Sequence, residues 1–259
     1  MSLIARFIAA NQWLCKATEN HLPQVFKRHI QTLYKYQVAD LLNRRAGRVV
    51  LDVGGGKECP FLPFLDPACG HLIIALDLSD EELRRNCQLD NKIVADAAAH
   101  GFPFRDGSTD LVVSRAVVEH IRDNSVFFQN CAHVLRPGGI MVHAFSGRFA
   151  PFALMNRVLP NRLTRHMIGH LHPEWQEEGN YGFPAFYDRC YFSAIKNLLN
   201  RNGFVNTRFD LLYYQSIYFN FCFPLFLLML IYDLVASILG IRNLASGIVV
   251  VAERDHCDR

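Results

Sequence analysis

A glycine triplet between two apolar segments is the part of the sequence whose residue types best suit chemistry. Gly54–Gly56 directly follow the segment Val49–Val53, and a second apolar segment, Leu72–Leu76, ends in Asp77. Glycines after a strand let the backbone approach a ligand without an intervening Cβ. A carboxylate at the end of the next strand offers two acceptor oxygens to a ribose diol. The pattern predicts a site for a nucleoside-containing cofactor, and an ordinary structural turn is the simpler alternative.

Strand-like and helix-like segments alternate along the chain, which predicts an α/β fold. The strand-like segments are Val49–Val53, Leu72–Leu76, Lys92–Ala95, Leu111–Ser114, Ile140–Phe145, Phe204–Leu211 and Ile248–Glu253. Glu81–Leu89 and Ser125–Leu135 are compatible with helices, and Arg136–Gly139 is predicted to be a turn between a helix and a strand. This order predicts right-handed crossovers and a mostly parallel sheet covered by helices on both faces.

Composition excludes several classes of protein. A chain of 259 residues suits one large domain with additions, and a net charge of only +3 argues against a general nucleic-acid binder. The eight cysteines contain no C-x-x-C pair, so neither a zinc site nor a disulfide framework is expected, and a reducing cytoplasm is predicted. The first residues lack the features of a secretory signal.

The sequence resembles the class I S-adenosylmethionine-dependent methyltransferases of the type 11 group. The matching stretches are Leu51–Gly56, Ile74–Ser79, Val94–Asp96, Phe102–Phe104, Thr109–Ser114, Val118–His120 and Val134–Gly139. The resemblance implies a seven-stranded Rossmann-like sheet whose last strand, Ile248–Glu253, inserts antiparallel beside the sixth. It also implies S-adenosylmethionine rather than NAD as the cofactor, because the sequence after Gly54 lacks the last glycine of G-x-G-x-x-G.

The resemblance also implies roles for individual residues. The methionyl part of the cofactor would meet Asp52, Gly54 and Gly56, and the ribose would meet Asp77. The remaining cofactor-binding residues would be Leu78, Asp96 and Ala97, near the ribose and adenine, and Ser114 and Arg115, beside the sulfonium. Helix capping is the simpler structural role for Asp96.

A sulfonium methyl group is already electrophilic, so catalysis mainly requires alignment of the acceptor and exclusion of water. A hydroxyl acceptor would in addition need a base, and histidine suits neutral pH. His120 and His172 are the candidate catalytic residues, with His170 beside the latter. The two neighbouring histidines are a weak metal motif, because no third ligand with suitable spacing is evident, and no metal is predicted. Tyr181, Phe183, Phe186, Tyr187 and Tyr191 would form either an aromatic substrate wall or part of the core.

The stretch from Ile217 to Gly240 is long and apolar enough to suggest a membrane span. A single crossing would separate the sixth and seventh strands, which must pair in one sheet. Two options remain: a helix pair broken near Pro224 that enters one leaflet, or a helix that covers the domain's own core. The first 48 residues favour contact with an anionic membrane surface, because they hold eight basic and two acidic residues and have apolar residues at helical spacing.

These observations predict a helical segment at residues 1–47, possibly at the membrane surface, followed by a methyltransferase domain at 48–259. Within that domain, a substrate-lid insertion is expected at about 147–195 and an apolar hairpin at about 213–244. The predicted function is methylation of a hydrophobic, membrane-embedded or lipid-linked acceptor, with O-methylation preferred, by a peripheral (monotopic) cytoplasmic enzyme. The alternatives are a soluble small-molecule methyltransferase with an apolar lid and a catalytically idle cofactor-binding partner protein. A nucleic-acid acceptor is not expected, since no motif for a flipped base is present.

Overall fold

The computed structural model describes residues 3–158 and 184–256, which build one sheet with helices around it. The strands are β1 (Val49–Val53), β2 (Leu72–Asp77), β3 (Asn91–Val94), β4 (Thr109–Arg115), β5 (Leu135–Ser146), β6 (Phe204–Leu212) and β7 (Gly247–Arg254). The helices are α1 (Leu3–Glu19), α2 (Ile30–Asn43), α3 (Asp80–Arg85), α4 (Asn124–Val134), α5 (Pro151–Val158), α6 (Phe192–Arg201) and α7 (Phe223–Ile238). Short 3-10 turns lie at Leu62–Phe64, Pro67–Cys69, Val118–His120, Ser216–Phe219 and Arg242–Leu244.

The sheet has the order β3-β2-β1-β4-β5-β7-β6, in which β1 to β5 pair in parallel and β7 runs antiparallel to both of its neighbours. The predicted seven-stranded methyltransferase sheet with an antiparallel last strand is therefore confirmed. Because β7 runs in the opposite direction, its first residue, Gly247, pairs with Ser146 at the end of β5 and with Leu212 at the end of β6. The carboxyl edge of the parallel strands thus also contains the end of β6.

Helices cover both faces of the sheet because successive strand residues point to opposite sides. Met141 of β5 belongs to the cluster that contains the α4 and α6 side chains, whereas the next residue, Val142, belongs to the cluster with α2. Tyr34 of α2 is fully buried in the second cluster, and Phe127 of α4 is fully buried in the first.

Two predicted elements differ from the structure. Arg136–Gly139 lie within the assigned bounds of β5, where the ladder shifts register: Leu135 pairs with Thr109, but Ile140 already pairs with Leu111. The four residues between those pairs are an irregularity in the strand rather than a separate turn. The helix predicted for Glu81–Leu89 ends at Arg85, because the Asn86 side chain donates a hydrogen bond of 3.0 Å to the carbonyl of Gly55.

The apolar stretch after β6 forms the single helix α7 rather than a helix pair broken near Pro224. Pro224 lies in the first turn, where its missing N–H has no helical partner to lose. The inner face of α7 packs against α1, where Cys15 joins Phe226 and Leu230 in a third buried cluster. Within 3–158 and 184–256, no helix is long and apolar enough to cross a membrane.

Candidate active site

The turn after β1 needs glycine at its first position. The backbone of Gly54 has a φ of +74°, and its N–H donates a 2.7 Å hydrogen bond to the carbonyl of Leu76. A Cβ on Gly54 would lie 2.2 Å from Cγ2 of Val117. The strand-four connection thus closes tightly over this turn, and a side chain at Gly54 would push the two apart.

Asp77 holds the same turn from β2. Its Oδ2 accepts a 3.1 Å hydrogen bond from the N–H of Gly56, and its Oδ1 accepts one of 2.9 Å from the N–H of Ser79. Carboxylate oxygens can accept more than one hydrogen bond, so both retain capacity for ligand hydroxyls. Leu78 exposes 58% of its surface beside them, a large apolar side chain available to a flat ring.

Asp52 is a buried acid at the base of this turn. It is only 3% exposed, and its Oδ2 has no hydrogen-bond partner among the described residues. Burial raises the pKa of Asp52 to about 7, with Asp77 raising it further and Arg115 opposing the shift. A buried carboxyl oxygen without a donor is costly, so a ligand donor at this position would be stabilising.

Tyr34 faces the same acid and was not predicted from the sequence. It is fully buried, its hydroxyl likewise has no hydrogen-bond partner in the part of the chain that the structure describes, and burial together with Asp52 raises its pKa. Its place in the sequence matches the apolar spacing of α2, in which Val38 and Leu42 are also buried, so the pattern alone indicates a core residue.

The predicted adenine and sulfonium residues are also near the carboxyl edge. Asp96 follows β3, and its Oδ1 accepts a 2.8 Å hydrogen bond from the N–H of Ala98, while Ala97 packs against the main core. Arg115 ends β4 and forms a 3.0 Å ion pair with Glu58, which belongs to the loop after the glycine turn.

Ser114 lies near the end of β4, as expected, but its side chain points into the core. It is fully buried, and its hydroxyl shares a 2.7 Å hydrogen bond with Nδ1 of His143. The imidazole lies between Phe127 and Phe128, and burial lowers its pKa to about 3. The hydroxyl of Ser114 is thus committed to a neutral core histidine.

Of the two predicted catalytic histidines, His120 lies in the 3-10 turn after β4, where its Nδ1 is 3.1 Å from the carbonyl of Pro184. A carbonyl only accepts, so that nitrogen carries the proton. His172 lies outside the described residues, as do His170, Tyr181 and Phe183. The structure therefore brings His120 to the carboxyl edge, and the role of His172 stays a prediction.

The other predicted aromatic residues have mixed positions. Tyr187 is buried in the main core, whereas Tyr191 packs against Phe149 with ring centroids 5.2 Å apart. Phe186 lies against Arg122. Across the described ranges, no group of three or more His, Cys, Asp or Glu side chains could hold a metal ion.

Glu119 is a second buried acid at this edge. It is 5% exposed, its Oε1 accepts a 3.3 Å hydrogen bond from the N–H of Ser146, and no described residue bonds its Oε2. Burial raises its pKa, and the neighbouring His120 opposes the shift. In the sequence, Glu119 is only an acid beside a histidine after a strand, which is also the pattern of a solvated helix end. Its burial in the structure distinguishes Glu119 from such a helix end.

Comparisons with known proteins agree with this geometry. A family model described as a methyltransferase domain matches residues 51–143. A protein of Mycolicibacterium smegmatis, named a probable S-adenosylmethionine-dependent methyltransferase, is 30% identical over 129 residues, which are 49% of this chain and 48% of that protein. The chain thus spans about half the length of the curated relatives it matches.

Solved structures show the same fold at low sequence identity. An S-adenosylmethionine-dependent methyltransferase from Mesorhizobium loti is 17% identical, with a TM-score of 0.51 over 85% of this chain and 96% of that one. Phosphoethanolamine N-methyltransferase 2 of Haemonchus contortus, solved with S-adenosyl-L-methionine, is 15% identical, with a TM-score of 0.53 over 85% of this chain and 52% of that one.

The sheet order, the glycine turn and the family match over residues 51–143 all agree with a class I S-adenosylmethionine-dependent methyltransferase domain. The residues fit that cofactor. The turn at Gly54 leaves no room for a side chain, Asp77 retains acceptor capacity at the end of β2, and Asp52 has a buried oxygen that lacks a donor.

Proposed function

We propose that the chain transfers a methyl group from S-adenosylmethionine to a hydrophobic acceptor that is embedded in or linked to a membrane, with an oxygen atom the preferred target. The observation that carries this proposal is the apolar outer face of α7, which lies in the connection between β6 and β7. That connection leaves and re-enters the sheet at the carboxyl edge, on which the glycine turn also lies.

The chain's own residues have limited chemical tasks. Bound S-adenosylmethionine supplies an electrophilic methyl group. The amides of the glycine turn and the carboxylate of Asp77 would hold the cofactor's polar groups, and Asp52 would accept hydrogen bonds from its methionyl amine. Fixing these groups in a site that excludes water supplies alignment, which is the main source of rate for such a transfer.

The outer face of α7 is apolar along its whole length. The exposed large side chains, each between 47% and 79% exposed, are Leu228, Ile231, Val235, Ile238 and Leu239. Their spacing of three and four residues puts them on one side of the helix, opposite the buried Phe226 and Leu230. A contiguous exposed face of this kind is typical of a surface that meets a membrane or a partner.

The helix packed beside α7 also exposes apolar side chains and adds positive charge. Phe7 and Trp13 of α1 are 60% and 70% exposed, and Arg6 and Lys16 of the same helix are exposed among them. Apolar residues with interspersed cations are the composition of interfacial helices, because the cations are attracted to anionic headgroups while the apolar residues enter the acyl boundary. This composition favours a lipid surface over a second protein.

Flotation with vesicles that contain anionic phospholipid tests the membrane part of the proposal. Wild-type protein should float with the vesicles at low salt and less completely at high salt, because salt screens only the charged part of the attraction. Ile231→Ser combined with Val235→Ser should abolish flotation. Leu72→Ser is the matched control, because Leu72 is 44% exposed but begins β2 at the opposite edge of the sheet. A wild-type protein that stays with the soluble fraction at low salt would contradict the membrane surface.

A further inference from the structure

We propose that Glu119 is the catalytic base that takes the proton from a hydroxyl acceptor during methyl transfer. This inference rests on the proposed function and adds to it the residue that makes an oxygen acceptor reactive. It differs from the sequence-based expectation, in which His120 or His172 has that role.

The first support is the position of the carboxylate. Glu119 lies two residues after Val117, which closes over Gly54 of the cofactor turn. Its side chain reaches across to the N–H of Ser146, at the end of β5. Because β4 lies between β1 and β5 in the sheet, this contact places the carboxylate at the carboxyl edge between the ends of β4 and β5, one strand from the glycine turn after β1.

The second support is the unused oxygen. Oε1 is held by Ser146, but Oε2 is buried and no described group donates to it. Buried carboxylates in folded proteins normally have their oxygens satisfied, because an unsatisfied one loses its hydration without compensation. A hydroxyl group of a bound acceptor would supply the missing donor. The fixed Oε1 would meanwhile keep the carboxylate in one orientation.

The third support is the cover over this carboxylate. The N–H groups of Phe186 and Tyr187 donate hydrogen bonds of 2.8 and 2.9 Å to the backbone carbonyl of Glu119. The segment that begins at Pro184 is therefore fixed directly on the residue, which keeps bulk water away from it. The titratable groups that interact with it are His120 in its own turn and Cys190 in the covering segment; Cys190 in turn interacts with Asp188 and Arg148.

Each bond that forms in the transfer is matched by one that breaks. The acceptor O–H gives its proton to Oε2 of Glu119, and the acceptor oxygen uses the freed electron pair to form the bond to the methyl carbon. The carbon–sulfur bond breaks and its electron pair stays on sulfur, which loses its positive charge. Glu119 is left as a neutral acid and returns the proton to water in a later step.

The test compares Glu119→Gln with wild type in the full-length protein. Glutamine keeps the oxygen that bonds Ser146 but cannot take a proton. We expect transfer of labelled methyl into lipid extract to fall at least roughly 100-fold, while affinity for S-adenosylhomocysteine stays within about twofold. The falling acidic limb of the wild-type pH–rate profile should disappear, which a purely structural role would not produce. Glu119→Asp, which keeps a carboxylate at a shorter reach, should restore part of the rate and the limb.

His120→Gln is the matched control, because it removes the neighbouring candidate base. If His120→Gln abolishes transfer while Glu119→Gln retains wild-type rates and the same pH profile, the assignment to Glu119 is overturned and the proposed function stands. If Glu119→Gln loses affinity for S-adenosylhomocysteine in proportion to its rate, the residue is structural and the assignment is also overturned. A wild-type protein that binds S-adenosylhomocysteine but methylates nothing in either lipid or aqueous extracts would overturn the proposed function, and the assignment with it.

Discussion

The backbone N–H of Gly56 donates a 3.1 Å hydrogen bond to Oδ2 of Asp77, and this contact joins the glycine turn to the acid at the end of the neighbouring strand. The two features that suggested a cofactor site in the sequence are thus one unit in the structure. Asp77 both shapes the turn and offers its carboxylate to a ligand at the same edge of the sheet.

Replacing Asp77 by alanine should weaken S-adenosylmethionine binding. The ribose hydroxyls would lose a charged acceptor, at a cost of about 1.5–3 kcal/mol, which corresponds to roughly a 10- to 150-fold rise in Kd. Isothermal titration calorimetry would measure this change in Kd. Asp80→Ala is the control, because Asp80 lies three residues further on and its carboxylate forms an ion pair with the exposed Arg84 in α3. An unchanged Kd in the Asp77 variant would remove that residue from the cofactor site.

Gly54→Ala should destabilise the fold and abolish cofactor binding, for two separable reasons. Alanine at a φ of +74° costs roughly 1–2 kcal/mol, and its Cβ would overlap Cγ2 of Val117 at 2.2 Å. Gly47→Ala isolates the first cost, since Gly47 has a φ of +68° but no atom within 4 Å of an added Cβ. Adding Val117→Ala to Gly54→Ala should recover part of the thermal stability that this variant loses. Adding it to Gly47→Ala should recover none. Equal losses in the two glycine variants would refute the close contact.

Cofactor affinity should rise with pH through the neutral range. Burial raises the pKa of Asp52 to about 7, so this acid is largely neutral at pH 6 and largely ionised at pH 8. Only the ionised form attracts the ammonium group of the methionyl part, so Kd should fall severalfold from pH 6 to pH 8. Asp52→Asn should bind more weakly at pH 8 and show a flat profile. A steep profile that persists in Asp52→Asn would assign the titration to another group.

Asp233→Asn should stabilise the protein at high pH. Asp233 is fully buried on α7, and its Oδ2 accepts hydrogen bonds from the N–H groups of Gln215 and Ser216 at 2.9 and 2.8 Å. Burial raises its pKa to about 6 from an ordinary value of 3.8, so the stability linked to this group is fully present below pH 3.8 and lost as pH rises through 6. Asparagine keeps the acceptor without the charge, so the gain at pH 8 should approach about 3 kcal/mol and vanish near pH 4.

The control for this prediction is Asp233→Ala, which leaves both N–H groups buried without an acceptor and should destabilise the protein at every pH. Thermal unfolding followed by circular dichroism between pH 4 and pH 8 would separate the two variants. A constant difference between Asp233→Asn and wild type across that range would show that Asp233 does not titrate there.

The sheet could be predicted because each strand and turn is specified by residues that are close together in the sequence. Apolar strands such as Val49–Val53, which is buried on both faces, are near-continuous hydrophobic segments, and the turns between them contain glycine and acids at fixed places. The end of α3 could not be predicted, because the helix stops where Asn86 bonds the carbonyl of Gly55, a contact across 31 residues.

The same limit applies to the site. Asp77 could be predicted from its position at the end of an apolar strand and Asp52 from the family resemblance, but Tyr34 and Glu119 could not, because only the fold buries them against the cofactor edge. The direction of the Ser114 side chain could not be predicted from the strand-four motif. Its hydroxyl bonds His143, a residue of the neighbouring strand that no local pattern connects with it.

The most direct test of the proposed function is transfer of radiolabelled methyl from S-adenosylmethionine by the full-length protein to two fractions of one cell extract. One fraction is the total lipid, presented in anionic vesicles, and the other is the aqueous metabolites. We predict that label enters the lipid fraction in proportion to the amount of protein, and that Gly54→Ala abolishes it. Label that enters only the aqueous fraction, or neither fraction although S-adenosylmethionine binds, would contradict a membrane-linked acceptor.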